Sequence, residues 1–241
     1  MPKVHLDAGH GGSDPGAVGN GLVEKELTLI LATKVLNILA PYCTVYMSRS
    51  GDDTVSIDSR CSYADEVGTD IMVSLHINAS GNGNARGIGI WHSIYSQPGA
   101  GGNKLANCIM NHIIVDGFTN YGIHTRKGSN GDYYGVIREP KATSIIVEHG
   151  FIDNAHDAAL LSQPKVLDHL AMGDALGILD FFGITYKSPV IVNPIPAPTP
   201  APNGIWRVQV GAFEKEAGAE AYIKRLDAAG FHGAFKKFVT T

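Results

Sequence analysis

Four residues far apart in the chain carry side chains that suit hydrolytic chemistry: His10, Glu24, His76 and Glu148. Each lies at or just past the end of a predicted strand, or at the start of a predicted helix. Two imidazoles and one carboxylate are the ligand set of a hydrolytic zinc site with an open fourth position. A further carboxylate that does not bind the metal can carry a proton. The combination indicates metal-assisted hydrolysis.

The first motif, DAGHGGSDPGA at Asp7–Ala17, follows the first predicted strand. Its glycines let the backbone turn sharply and leave His10 exposed on a loop. A dinucleotide-binding loop is disfavoured, because such a loop opens a helix directly and this helix starts only near Glu24. Taken alone, Glu24 and Glu26 would simply complement the helix dipole. The short loop from His10 favours a functional role for Glu24, whereas Glu26 keeps the electrostatic interpretation.

Two later motifs place polar side chains at the ends of apolar strands. In SLHINAS, His76 is followed at once by the polar Asn78 and a glycine-rich loop, which predicts a position at the rim of the sheet. A histidine in an apolar run is more often a core residue, so it is the position at the rim that favours a functional role for His76. In IVEHGFIDN, Glu148 ends another apolar strand. A carboxylate there is costly to bury without a cation or metal, which favours a functional role.

Strand and helix patterns alternate up to about residue 182. The predicted strands are Lys3–Asp7, Thr44–Ser48, Asp70–Ile77, Gly87–His92 and Ser144–Glu148. The predicted helices are Glu24–Leu39, Ser56–Val67 with Ile57 on its apolar face, Gly102–Val115, and Pro164–Phe182 with Ser162 as its N-cap. This alternation predicts an α/β fold with a mostly parallel twisted sheet and helices on both faces. Functional sites of such sheets gather at the carboxyl ends of strands, where His10, His76 and Glu148 are placed.

The bulk composition excludes several classes of protein. The 241 residues are 44% hydrophobic and 17% charged, as expected for a globular chain, and the net charge of −4 does not favour a nucleic-acid partner. No stretch approaches the roughly 18 apolar residues of a membrane span. The N-terminus lacks the apolar segment of a secretion signal. The spacing of the three cysteines favours reduced thiols. We therefore expect synthesis in the cytoplasm without a signal peptide.

A proline-rich stretch divides the chain. Residues 187–203 contain six of the twelve prolines and no acid, which predicts an extended linker. Residues 1–186 would then form the catalytic domain. Residues 204–241 read as strand, helix, strand, and predict a small C-terminal β-α-β unit.

The motifs of the first domain together resemble the zinc-dependent N-acetylmuramoyl-L-alanine amidases, of the phage endolysin and spore mother-cell autolysin type. The resemblance rests on DAGHGGSDPGA with Glu24, on RSGDDTVSIDSRCSYAD, on SLHINA and on EHGFIDN, in that order. It implies one Zn²⁺ per catalytic domain, held by His10, Glu24 and His76, and a catalytic role for Glu148. Arg60 and the pair Arg86–Gly87 match family positions interpreted as structural. Asn78 and His149 are expected to contact substrate.

The resemblance also implies which bond is cleaved and how the protein reaches the cell wall. Water activated by zinc would cleave the amide between N-acetylmuramic acid and L-alanine, with bacterial peptidoglycan as the partner. A protein without a signal would reach the cell wall after holin-mediated release or cell lysis.

The C-terminal unit resembles the SPOR repeat, a peptidoglycan-binding module, and VQVGAF is its best-matching string. The family's full domain holds two β-α-β units, and residues 204–241 provide one. A unit of about 38 residues seldom folds alone without disulfides, metal or association. Three alternatives therefore stay open for residues 204–241: cell-wall binding, a homodimer, or a truncated remnant that is mobile or packed against its own catalytic domain.

Two alternative functions use some of the same residues. A zinc exopeptidase acting on free peptides shares the ligand types, but would also need a site for a terminal carboxylate or amine. A non-catalytic cell-wall-binding protein could retain an old active site, although the intact set of four residues argues against this alternative.

Overall fold

The computed structural model describes residues 1–187 and three helical residues farther along, Glu220, Ile223 and Lys224. The chain divides into two units, Met1–Ser188 and Pro189–Thr241. Apart from Lys187 and those three residues, the predicted linker and the predicted strand–helix–strand unit lie outside the described residues.

A six-stranded mixed sheet forms the centre of the first unit, in the order β4-β1-β5-β10-β6-β7. The first four strands of this order are parallel, β6 runs antiparallel to β10, and β7 is parallel to β6. The strands are β1 (Lys3–Ala8), β4 (Thr44–Met47), β5 (Ile71–Asn78), β6 (Ile88–His92), β7 (Asn120–His124) and β10 (Thr143–Phe151). Two short hairpins pair β2 (Val18–Gly19) with β3 (Leu22–Val23) and β8 (Lys127–Gly128) with β9 (Gly131–Asp132).

Six helices pack on the two faces of the sheet, which confirms the predicted α/β class. They are α1 (Glu24–Leu39), α2 (Ile57–Val67), α3 (Gly101–Ile113), α4 (Gly135–Arg138), α5 (Ala155–Leu161) and α6 (Pro164–Phe181). One face carries the larger core with α1, α3 and α6. The other face carries a smaller cluster with α2 and α4.

Alternation along the central strands assigns each side chain to one of these faces. On β5, Val73 and Leu75 belong to the larger core, whereas Met72 packs with α2 and α4. By the same alternation, His76 lies on the face of α2 and α4. On β10, Ile146 belongs to that smaller cluster as well, so Glu148 also lies on this face. The register pairs Glu148 directly with His76. Neighbouring parallel strands thus bring two of the predicted site residues side by side.

Local corrections concern the ends of helices and one buried face. Ser162 caps the C-terminus of α5, and Gln163 is the N-cap of α6, so the prediction for Ser162 was wrong. Ile57 is 52% exposed, whereas Cys61 and Ala64 of the same helix are buried as expected. Ile57 opens the helix directly after its N-cap, Ser56, where the chain still faces solvent.

The strand β7, both hairpins, α4 and α5 were not predicted. Most of these elements are short, and β7 is an edge strand whose pairing with β6 has a register shift at Tyr121. Within the described residues, no helix is long and apolar enough to cross a membrane.

Candidate active site

His10, Glu24 and His76 converge although they come from three separate elements. His10 lies two residues past β1, Glu24 is the first residue of α1, and His76 is near the end of β5. The Glu24 carboxylate lies between the imidazoles, with Oε2 3.2 Å from His10 Nε2 and Oε1 2.9 Å from His76 Nδ1. One donor atom from each residue lies within 4.8 Å of the others. The structure therefore brings the three predicted ligands together.

The His10 loop is fixed by two buried arginines. His10 has φ 60°, a left-handed conformation that is uncommon outside glycine. Arg60 donates to the carbonyls of Ala8 and His10 at 2.7 Å each. Arg49 donates to the carbonyls of Ala8 at 3.0 Å and Gly9 at 2.9 Å. Strained residues persist where the surrounding structure holds them, and these hydrogen bonds provide that support.

Two glycines of the first motif let the backbone lie close to the side chains of the proposed metal ligands. A Cβ atom on Gly9 would lie 2.5 Å from Cε1 of His76. A Cβ atom on Gly16 would lie 2.5 Å from Oε2 of Glu24, and Gly16 also has φ +65°. Any larger side chain at either position would displace a proposed ligand.

The charges around the three proposed metal ligands favour a cation between them. Burial alone would lower the pKa of His10, but Glu24 and Asp14 raise this pKa to about 9. Burial alone would lower the pKa of His76, but Glu24 and Glu148 outweigh burial and raise this pKa above its ordinary value. The two imidazoles hold the pKa of Glu24 well below its usual range despite its burial. Protons compete with metal ions for such ligands, so this cluster suits a cation.

The cluster fits a zinc ion in its chemistry and its support. Two imidazoles and a carboxylate are zinc ligands, and three protein ligands leave a position open. His10 Nδ1 lies 2.8 Å from Asp14 Oδ2, the carboxylate–histidine contact that orients metal-binding imidazoles. Glu24 also accepts from the backbone N–H groups of Ala17 at 2.7 Å and Ile77 at 2.9 Å. Its carboxylate is thereby held in place before any ion binds.

Glu148 lies beside the cluster and differs from it in environment. It is half-buried, and its Oε2 is buried without a hydrogen-bond partner among the residues that the structure describes. Burial raises the pKa of Glu148 to about 7, with His76 opposing and Glu24 adding to the rise. With His10, His76 and Tyr134, Glu148 lines a cleft of about 340 Å³. A carboxyl group with this pKa can both accept and donate a proton near neutral pH.

The two residues expected to contact substrate occupy different positions. Asn78 ends β5 at a half-buried position, and its Oδ1 accepts from the N–H of Ala79 at 2.8 Å. His149 is fully buried, with Nε2 2.8 Å from Asp174 and Nδ1 3.1 Å from the His76 carbonyl. Because His149 follows Glu148 on a strand, it points to the opposite face and cannot contact substrate in this arrangement. That expectation for His149 is corrected by its burial.

Arg60 supports the site through an ion pair with Asp7, and both side chains are buried. Asp7 also accepts from the Ser74 hydroxyl at 2.6 Å. Burial alone would raise the pKa of Asp7, but Arg60 and the hydroxyls of Ser48 and Ser74 lower it below its usual value. The structural interpretation of Arg60 agrees with these contacts.

We expect the Asp7→Asn variant to lose about 3–5 kcal/mol of unfolding free energy at pH 7, because a buried guanidinium is left unpaired. The lowered pKa of Asp7 means that its stabilising contribution is present above the ordinary value of about 3.9 and is lost as the pH falls through the lower folded value. The difference between variant and wild type should therefore shrink in acid. Urea unfolding from pH 3 to 7 measures it.

The matched control is Asp168→Asn, which removes an exposed ion pair with Lys34 and should cost no more than about 1 kcal/mol. Equal losses for the two variants would contradict the supporting role of Asp7.

Sequence reasoning assigned no role to Asp14, Arg49 or Tyr134. Asp14 is four residues beyond His10 within a turn-rich motif, a spacing that could have suggested the contact. Arg49 reaches carbonyls about 40 residues away, and Tyr134 reaches the cleft from the start of α4. Neither contact is visible in local sequence.

The chain is similar to two known sequence families. Residues 4–180 match the family described as N-acetylmuramoyl-L-alanine amidase, and residues 202–241 match the SPOR domain. The sporulation-specific N-acetylmuramoyl-L-alanine amidase of Bacillus subtilis is 34% identical over 236 residues, covering 96% of this chain and 83% of that relative. The endolysin of Bacillus phage SPP1 is 32% identical over 187 residues, covering 77% of this chain and 68% of that relative.

Solved structures give the same fold. The catalytic domain of CwlV, an N-acetylmuramoyl-L-alanine amidase from Bacillus (Paenibacillus) polymyxa var. colistinus, superimposes with a TM-score of 0.69 at 30% identity. The superposition covers 77% of this chain and 100% of that domain. Cwp6 from Clostridium difficile gives a TM-score of 0.72 at 32% identity, covering 75% of this chain and 29% of that protein.

Proposed function

This chain belongs to the N-acetylmuramoyl-L-alanine amidase family, and we propose that His10, Glu24 and His76 hold its zinc ion while Glu148 transfers the protons of the reaction. The chain is a peptidoglycan hydrolase that cleaves the amide between N-acetylmuramic acid and L-alanine. The family assignment favours this activity over the exopeptidase and the non-catalytic alternatives.

The proposal rests on a separation of roles within the cleft. Donor atoms of His10, Glu24 and His76 cluster within 4.8 Å, and Glu148 is outside that cluster. Glu148 nevertheless lies directly across from His76 in the sheet, with one carboxyl oxygen free of protein partners in the described part of the chain. A residue so placed can reach the reacting atoms without being a ligand.

In this mechanism the metal site and Glu148 have separate roles in hydrolysis. A bound zinc ion supplies Lewis acidity, which lowers the pKa of water toward about 7 and stabilises negative charge on the carbonyl oxygen. Glu148 accepts a proton from the attacking water and holds it on its carboxyl group. It then donates this proton to the nitrogen of the leaving L-alanine, because an amide nitrogen leaves poorly unless it is protonated. The raised pKa of Glu148 suits both transfers.

Analysis of the new chain ends in digested cell walls tests this function. We expect free amino groups of L-alanine to appear in step with solubilisation, while the number of glycan reducing ends stays constant. New reducing ends would indicate a glycosidase, and amino groups from other residues would indicate a peptidase. Binding to the walls without any new ends would indicate a binding protein. Each of these three results would contradict the proposed function.

We further propose that residues 204–241 form a homodimer. The single β-α-β unit that the sequence predicts there would leave sheet edges open, and pairing with the same unit of a second chain would cover them with two-fold symmetry. Two tails would also give bivalent attachment to the wall. Light scattering should show a dimer for the full chain and a monomer for residues 1–186. Monomers in both samples at tens of micromolar would refute the dimer.

A further inference from the structure

A continuous row of aromatic rings next to the cleft extends from the sheet to the two residues that precede α4. We call it the aromatic row, and successive ring centroids are 5.3, 4.9, 5.6 and 5.1 Å apart. Its members, in order, are Tyr121, His124, Trp91, Tyr134 and Tyr133. The rings at its two ends, Tyr121 and Tyr133, are 42% and 50% exposed. Trp91 and Tyr134 also pack against the smaller cluster, and Tyr121 contacts Phe151. The exposed faces of Tyr121 and Tyr133 have no role in the mechanism above.

The aromatic row is continuous with the catalytic cleft at two points. In its middle, Tyr134 lines the cleft together with His76 and Glu148. At one end, Gly89 of β6 pairs directly with Glu148, and a Cβ atom on Gly89 would lie 3.1 Å from Cδ1 of Tyr121. The Tyr121 ring therefore occupies the space beside Glu148 that a side chain at position 89 would otherwise fill.

Strands β6 and β7 add the next rings, Trp91 and His124, on the same face. Trp91 pairs with Ile146 of β10 and with His124 of β7. Since Ile146 and Glu148 are two residues apart on one strand, Trp91 faces the same side of the sheet as the catalytic carboxylate. A ligand seated in the cleft can thus extend over these rings without crossing the sheet.

The chemistry of the row suits sugar rings better than peptide stems. Pyranose rings present flat C–H surfaces that pack against aromatic faces, whereas a peptide stem presents small side chains and carboxylates. The guanidinium of Arg126 stacks on Tyr133, with its carbon 3.7 Å from the ring centroid, and extends the flat surface. Binding sites for neutral organic ligands are lined mainly by such aromatic side chains with few polar groups.

Building on the proposed function, we propose that the aromatic row binds the glycan strand of peptidoglycan, at sugars that flank the N-acetylmuramic acid whose amide is cut. The scissile amide joins a sugar to a peptide, so one side of Glu148 must accommodate the glycan. A row of five rings is longer than a single sugar ring, and so it contacts neighbouring sugars as well. The enzyme should therefore act better on polymeric glycan than on a single muramoyl-peptide.

A binding experiment uses the full chain with Trp206→Phe, so that Trp91 is the one remaining tryptophan. The probe is a tetrasaccharide of alternating N-acetylglucosamine and N-acetylmuramic acid without peptide stems. We expect a saturable change in Trp91 emission, with affinity lowered about tenfold by Tyr121→Ala together with Tyr133→Ala. A free stem peptide beginning with L-alanine should leave the emission unchanged. A response to the peptide alone would overturn the proposal.

A kinetic experiment compares long stem-bearing glycan chains with a single N-acetylmuramoyl-peptide. The same double variant should lose about tenfold more in kcat/KM on the long chains than on the single-sugar substrate, mainly through KM. Tyr63→Ala is the matched control, because Tyr63 is 38% exposed and contacts His5 and Tyr46 outside the row. Thermal melting confirms that each variant is folded.

The outcomes separate this inference from the proposed function. If the tetrasaccharide does not affect Trp91, or if both substrates lose activity equally, the sugar-binding role is refuted while the amidase activity stands. If the unmodified chain releases no L-alanine amino groups, the proposed function itself fails.

Discussion

We expect the Glu148→Gln variant to bind zinc and remain folded while its turnover falls by about 10²–10⁴-fold. Glutamine has nearly the same shape as glutamate but cannot accept or donate the proton that the reaction transfers. Glu148 is outside the ligand cluster, so its loss should not change the affinity for the metal. Removing a partly buried carboxylate whose Oε2 lacks a partner among the described residues should also leave the fold intact.

Three measurements on one preparation check this expectation: zinc content by mass spectrometry, thermal melting and release of L-alanine amino groups. Glu26→Gln is the matched control, because Glu26 lies two residues after Glu24 in the first turn of α1 but is exposed. It should retain full activity. If Glu148→Gln loses its zinc while folded, the assignments of ligand and proton carrier are wrong.

The His76→Ala variant should lose both zinc and activity. It removes one of three ligands and leaves Glu24 with one imidazole partner. Structural and catalytic zinc sites depend on the full set of protein ligands, so occupancy should fall to background at micromolar zinc. His112→Ala is the matched control, because His112 is half-buried on α3 and pairs with Asp180 on the opposite side of the sheet. Zinc occupancy and activity should both be unchanged in this control.

Removal of zinc by a chelator should also abolish activity, without any mutation. Exhaustive dialysis against a chelator should abolish activity, and stoichiometric zinc should restore it. Full activity in a sample shown to be free of metal would exclude the proposed zinc mechanism.

Much of the site could be predicted because its residues follow local rules. His76 and Glu148 end short apolar runs of a length typical of buried strands, and the carboxyl ends of parallel strands meet at one edge. His10 follows a strand within a glycine-rich turn. Glu24 opens a helix immediately after that turn. Each position is fixed by the residues around it, and the sheet then brings the positions together.

Other features depend on contacts that local sequence does not encode. The alternation of strand side chains could have placed His149 on the face opposite Glu148, but only the fold reveals that Asp174 of α6 is its partner. The antiparallel direction of β6 arises from its pairing with β10, which is more than 50 residues later. The aromatic row combines side chains from β6, β7 and the two residues that precede α4, and neither β7 nor α4 was predicted.

Anomalous X-ray scattering at the zinc absorption edge, from crystals of the zinc-loaded full chain, tests the central proposal most directly. We predict one strong peak in the first unit, within bonding distance of His10, Glu24 and His76, with the Glu148 carboxylate outside the coordination sphere. A peak bonded to Glu148, or a peak elsewhere with none at the three predicted ligands, would contradict the account.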